Sequence, residues 1–122
     1  MESDGGTFTP TGLSYSGSNR TAQCTMWAIM QLMSPLKATA LSLAADGSDV
    51  MYLYADGAPV SSLQNENGRY FLYHHTAGDT MTVLNRTQID QCQALWTATA
   101  YAVAALEDIL PDERRAKSFE CC

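Results

Sequence analysis

The sequence predicts an α/β fold. Three observations lead there. Two stretches carry apolar residues at helical spacing, one after Asn19 and one after Thr87. Between them lie two short runs rich in aliphatic and aromatic residues, each flanked by Gly, Asp or Asn. The resulting order is loop, helix, strand, loop, strand, loop, helix, which alternates the two element types within one chain.

Each element follows from its local chemistry. Residues 4–18 are rich in Gly, Ser, Thr and Pro and read as a loop. Asn19 is placed as the N-cap of the first helix, whose stripe is Ala22, Met26, Ile29, Met30 and Met33. This helix should stop near Met33, ahead of Pro35, because a residue before proline is pushed out of the helical region. Its methionines read as core filler. Val50-Met51-Tyr52-Leu53-Tyr54 follows Asp46-Gly47-Ser48-Asp49 and reads as a strand buried on both faces. Residues 55–59, Ala-Asp-Gly-Ala-Pro, form the turn after it. Residues 69–73 read as a second strand. Thr87 with Asp90 approximates a capping box. From there Ile89, Cys92, Leu95, Trp96, Thr99, Val103, Leu106 and Ile109 trace one face of a long helix that Pro111 ends. Glu107 and Asp108 near its end oppose the helix dipole. The chain thus divides into a domain over 1–111 and a charged tail over 112–122. A sheet of two or three strands covers only part of two long helices, so the layout reads as part of a larger sheet.

Composition narrows the partners. The chain has 122 residues, 46% hydrophobic and 16% charged, enough apolar content to fold as one domain. A net charge of −6 argues against a nucleic-acid partner, which calls for a basic face. No apolar run reaches the ~18 residues of a membrane span. The opening MESDGGTFTP is acidic and polar, unlike a signal peptide. Yet Asn19-Arg20-Thr21 and Asn85-Arg86-Thr87 both fit the N-glycosylation pattern, which sits uneasily with that start. The cysteines are Cys24, Cys92, Cys121 and Cys122. Their spacing is neither that of a stapled scaffold nor that of a zinc ribbon. Cys24 and Cys92 fall in predicted helices and read as buried free thiols. The terminal Cys121-Cys122 pair resembles a prenyl acceptor, but no phosphate-binding loop accompanies it.

Both histidines of the chain stand in "YFLYHHTAGDT", residues 70–80. His75 ends a candidate strand where a loop begins, a common position for ligand-binding groups in α/β sheets. Alternation along a strand sends His74 and His75 to opposite faces, so the pair should not chelate one metal. One histidine then faces a site and the other packs. Asp79, four residues past His75, has two readings: a carboxylate that orients a metal-bound histidine or an Asx-turn residue. Glu2-Ser3-Asp4 places two carboxylates at the start of the glycine-rich loop and by composition alone reads as a solvated terminus.

Two segments carry a resemblance. "ESDGGTFTPTGLSYSG" and, further on, "YFLYHHTAGDTMTVLNRTQID" closely resemble the C-terminal part of the M28 metallopeptidases. The likeness runs from Glu2 to Pro111. "DGAPVSSL" resembles a segment that the family usually writes AGVPGASL. The resemblance implies an α/β/α sandwich around a mixed sheet, truncated here on its N-terminal side. It implies an exopeptidase that hydrolyses short peptides, chiefly dipeptides, with two zinc ions. Asp4 and His75 resemble the last two metal ligands, and His74 the family's non-ligand neighbour. Asp79 matches a recurring position, to which we assign an orienting role. A homodimer and a secreted or lysosomal setting, within the secretory-pathway lumen, are implied for the intact enzyme, and a signal upstream would reconcile the two sequons.

Departures accompany it. The family's upstream histidine, bridging aspartate and Glu-Glu pair have no counterparts, and the chain contains no Glu-Glu dipeptide. The first glutamate of that pair is the family's general base. A catalytic zinc usually takes about three protein ligands plus water. The 122-residue chain alone is therefore expected to be inactive. The alternative reading is a non-catalytic binding module derived from the same family. An insertion of one residue near Arg20 to Ala22 and the tail Asp112 to Cys122 also depart from the pattern, without touching the metal motifs.

Overall fold

The computed structural model describes residues 1–106. It is an α/β fold built on a mixed sheet of three strands, β1 (Pro10–Ser16), β2 (Ala40–Ser42) and β3 (Val60–Asn65), in the order β2-β1-β3. β1 pairs with β2 in parallel and with β3 antiparallel, so that Leu13 stands beside Leu41 on one side and Leu63 on the other. Among the described residues four α-helices accompany it: α1 (Arg20–Gln31), α2 (Val50–Ala55), α3 (Tyr70–Tyr73) and α4 (Arg86–Ala104).

The two long helices stand where the periodicity puts them. Asn19 caps α1 as expected, its Oδ1 accepting from the Ala22 amide at 3.1 Å. Pro35 lies in a short 3-10 turn just beyond. α4 begins two residues before the predicted box: Asn85 is the cap, accepting from the Gln88 amide at 3.2 Å. Both helices pack on the same face of the sheet. Leu13, Tyr15 and Leu63 from the strands meet Ala22, Met26, Ile29, Met30 and Met33 from α1 and its end, and Cys92 and Leu95 from α4, in one cluster. The methionines are core filler, as read. α4 ends at Ala104, short of Leu106, which the predicted face includes. Ile109, the expected stop at Pro111 and the 112–122 tail with Cys121 and Cys122 lie outside the described residues. Among the described residues no helix is long and apolar enough to cross a membrane.

The strands required correction. Residues 10–16, read as loop, form the central strand. Burial in the core overrides the poor strand propensity of Pro, Gly and Ser there. Gly12 makes this possible: its φ is 155°, and a Cβ would overlap the Ala40 carbonyl on β2. The serine-rich β3 was likewise unread. Ser61 and Ser62 are buried in it, Ser61 Oγ donating to the Ser14 carbonyl at 2.7 Å.

Conversely, both predicted strands are helical. Residues 50–54 form α2, since the carboxylate of Glu2 accepts from the amides at its N-terminus (described below). Only Val50 of α2 is buried, and Tyr52 is 78% exposed. Residues 70–73 form the single turn of α3, in which side chains four apart meet. The cysteine reading divides. Cys92 is a buried free thiol, as expected. Cys24 is disulfide-bonded, contrary to expectation. It lies only partly buried on α1, beside rather than within the buried stripe, which leaves its Sγ open to a partner.

Candidate functional site

The N-terminal segment is anchored at both ends of the stretch that carries Asp4. Glu2 runs alongside β3, its N–H donating to the Ser61 carbonyl at 2.9 Å while its own carbonyl accepts from the Leu63 amide at 3.0 Å. Its carboxylate accepts from the Val50 amide at 2.9 Å and the Asp49 amide at 3.2 Å. The bond from Val50 is the main reason the Glu2 carboxyl sits below its ordinary range, with partial desolvation opposing it. Gly47, at φ 144°, leaves space for this carboxylate, because a Cβ there would overlap Oε2. Two residues beyond Asp4, the Gly6 carbonyl accepts from Asn65 Nδ2 at 2.7 Å. Asp4 is thus held between two fixed points of the β3 region.

The histidines arrive from the other direction. α3 ends at His74, whose N–H still donates to the Tyr70 carbonyl at 3.0 Å. The Tyr70 and His74 rings stack at 4.5 Å and 27°, as residues four apart on a helical turn can. The His75 ring stacks on His74 in turn, at 3.8 Å and 23°. His75 adopts φ 57°. A left-handed backbone costs a non-glycine residue roughly 1–2 kcal/mol, and such residues gather at functional sites. Next, a tight turn follows: Thr76 Oγ1 donates to the Tyr73 carbonyl at 2.7 Å, and the Asp79 N–H donates to the Thr76 carbonyl at 3.1 Å.

These parts meet at a cavity of about 260 Å³ lined by Asp4, Asp46, Gln64, Asn65, Tyr70 and His74 among others. Desolvation first, then the charges of Asp4 and Asp79, hold the Tyr70 phenol above its ordinary range. The His74 ring lies on Tyr70, and the His75 ring on His74. Asp4 and His74 line the cavity, while His75 is exposed and lies against His74. The alternation argument for the two histidines does not hold, since they follow a helical turn and their rings lie face to face. Among the described residues, no three of His, Cys, Asp and Glu form a group able to hold a metal ion. The described side chains do not make a zinc site by themselves.

Four participants were not named from the sequence as site residues: Glu2 as an anchor, Asp46, Asn65 and Tyr70. Tyr70 carried a legible signal, standing four residues before His74, but only if that run is helical. The anchoring by Glu2 and Asn65 spans tens of residues and leaves no local trace. Of the two sequon asparagines, Asn19 is buried at 5% exposure under its capping bond, whereas Asn85 is exposed.

Similarity to known proteins runs along most of the chain. It is 42% identical over 111 residues to carboxypeptidase Q of Bos taurus, and 40% identical to carboxypeptidase Q of Rattus norvegicus and of Homo sapiens over the same length. Each match covers 91% of this chain and 23% of the relative. The chain thus spans about a quarter of the length of these relatives. No family model and no solved structure matches it.

Proposed function

Since the chain is a homologue of carboxypeptidase Q over 91% of its length, we propose that it is the C-terminal, ligand-bearing part of a zinc-dependent M28 exopeptidase acting on short peptides, chiefly dipeptides. Asp4 and His75 are its contribution to a pair of zinc ions, one ligand to each. The remaining ligands and the general base come from polypeptide outside this chain. The observation that carries the reading is convergence. Asp4 and His74, 70 positions apart in sequence, line one cavity with Tyr70, and His75 lies on His74. The left-handed backbone of His75 supports its role, because strain of that kind persists where the surroundings and a function require it.

Three statements belong to the same proposal. Asp79 orients the histidine end of the site. The intact enzyme works in a secretory-pathway compartment, as a homodimer. The 122-residue chain alone does not turn over peptides, because nothing in it replaces the missing glutamates.

The test compares the chain alone with a polypeptide that joins it to the complementary portion, by dipeptide hydrolysis and bound zinc. The isolated chain should be silent, and the joined protein active and zinc-loaded. In the joined protein, Asp4→Asn and His75→Ala should each remove most of the zinc and the activity. His74→Ala should cost no more than the roughly 10–100-fold typical of a group beside a metal ligand. Full zinc occupancy and activity in both Asp4→Asn and His75→Ala would refute the assignment.

A further inference from the structure

The ring of Tyr70 lies next to both halves of the site. On one side it lies over Gly6: a Cβ added to Gly6 would come within 3.3 Å of the ring. Gly6 is two residues past Asp4 and is pinned by Asn65. On the other side the ring stacks on His74 at 4.5 Å, and His74 carries His75 at 3.8 Å. Phe71 closes the arrangement edge-on, 5.0 Å from Tyr70 and 6.0 Å from His74. The Asp4 loop and the histidine turn belong to distant stretches of sequence. His75, in its left-handed conformation, is exposed and lies on His74.

We infer that Tyr70 is a positioning residue: its ring sets the place of the His74–His75 pair relative to Asp4. The inference rests on the reading of Asp4 and His75 as the functional pair. The ring, rather than the hydroxyl, carries the role, because its contacts with Gly6, Phe71 and His74 are made by ring atoms. Offset stacking of aromatic faces has a defined geometry, so it fixes orientation as well as distance. A group that holds a site must itself be held. Tyr70 is held by its N–H donating to the Asn67 carbonyl at 2.8 Å and by Gly6 beneath it.

The histidines make this testable in the 122-residue chain without metal, because they are the only two and their ring-proton resonances can be assigned by one substitution, His74→Gln. In the wild-type chain, nuclear Overhauser contacts should join the Tyr70 ring to His74 and to Gly6, and His74 to His75. The His74 ring protons should be displaced by the neighbouring ring currents. Tyr70→Phe should preserve both the displacement and the His74–His75 contacts. Tyr70→Leu should change the displacement of the His74 ring protons and weaken the His74–His75 contacts, while the methyl resonances of Leu13 and Met30 report an intact core. Unmoved His74 signals in a folded Tyr70→Leu chain would overturn the inference. So would the absence of Tyr70–His74 and Tyr70–Gly6 contacts in the wild type, a measurement that stands even if the leucine variant does not fold. Failure of the parent reading looks different: the ring contacts would be present as described, yet Asp4→Asn and His75→Ala would leave zinc uptake by the joined protein unchanged.

Discussion

The carboxylate of Glu2 caps the amide of Val50 at 2.9 Å across 48 residues of sequence. One acidic side chain thus ties the N-terminal segment to the start of α2 and keeps Asp4 beside the cavity. Its carboxyl is held below the ordinary range by these bonds, so the folded state prefers the charged form. The resulting stabilisation is fully present above the ordinary carboxylate range. It is lost as pH falls through the lower folded value. We expect the amides of Asp49, Val50 and Leu63 to exchange faster, relative to their intrinsic rates, in acid before the core opens. Glu2→Ala should show the same fast exchange already at neutral pH, and equal exchange in wild type and Glu2→Ala would remove the anchor.

Gly12 should tolerate no side chain. Its φ of 155° and the Ala40 carbonyl facing it both exclude a Cβ. Gly12→Ala should cost about 1–3 kcal/mol by overpacking and loosen β2 from β1. Urea unfolding measures the first effect, and exchange at Leu41 and Ser42 the second.

Cys92 sits in the core with its Sγ–H donating to the Phe8 carbonyl at 3.1 Å. Burial pushes its thiol up from the ordinary range. Its folded pKa therefore exceeds the unfolded value of about 8.5. The stability from its neutral form is complete below the unfolded value and fades as pH rises from there through the folded one. Cys92→Ala should cost about 1 kcal/mol near neutrality from lost packing. The gap between wild type and variant, read from urea midpoints, should narrow as the pH climbs past 9. A gap that widens would contradict the burial of this thiol.

Glycan attachment should distinguish the two sequons. The Asn19 side chain is buried and accepts from Ala22, while Asn85 is exposed at the start of α4. Expressed through a secretory pathway and folded, the chain should carry sugar at Asn85, with Asn19 bare. Peptide mass mapping after glycosidase treatment in heavy-oxygen water would show it. Occupancy at Asn19 would mean that modification precedes folding there.

The helices were legible because their information is local. A stripe recurring every three or four residues and a capping asparagine are written within a few positions of each other, as Asn19 and Ala22 show. The sheet was not. β1 is a strand because Leu63 and Leu41 lie on either side of Leu13, and nothing in PTGLSYS announces those neighbours. α2 looked like a strand because its helical start depends on Glu2, far away in the chain. The site divides the same way. Asp4 and His75 emerged only through motif resemblance, which carries long-range information. Tyr70 stays hidden because its run reads as a strand by sequence, where residues four apart cannot touch.

The pairing of β1 with β3 also sets a timetable. The central strand is made early, but its antiparallel partner follows some 50 residues later, and Cys92 reaches back to Phe8 across 84. Contacts so distant in sequence form slowly, because a long loop must close before any of them can be made. As the chain leaves the ribosome, Pro10–Ser16 must wait unpartnered on that side until Val60–Asn65 has emerged. The Asp4 segment, which leans on β3, can settle no sooner. The Asp4 segment is thus made well before it can find its place, and the interval before β3 arrives is when this part of the chain most needs protection from wrong partners.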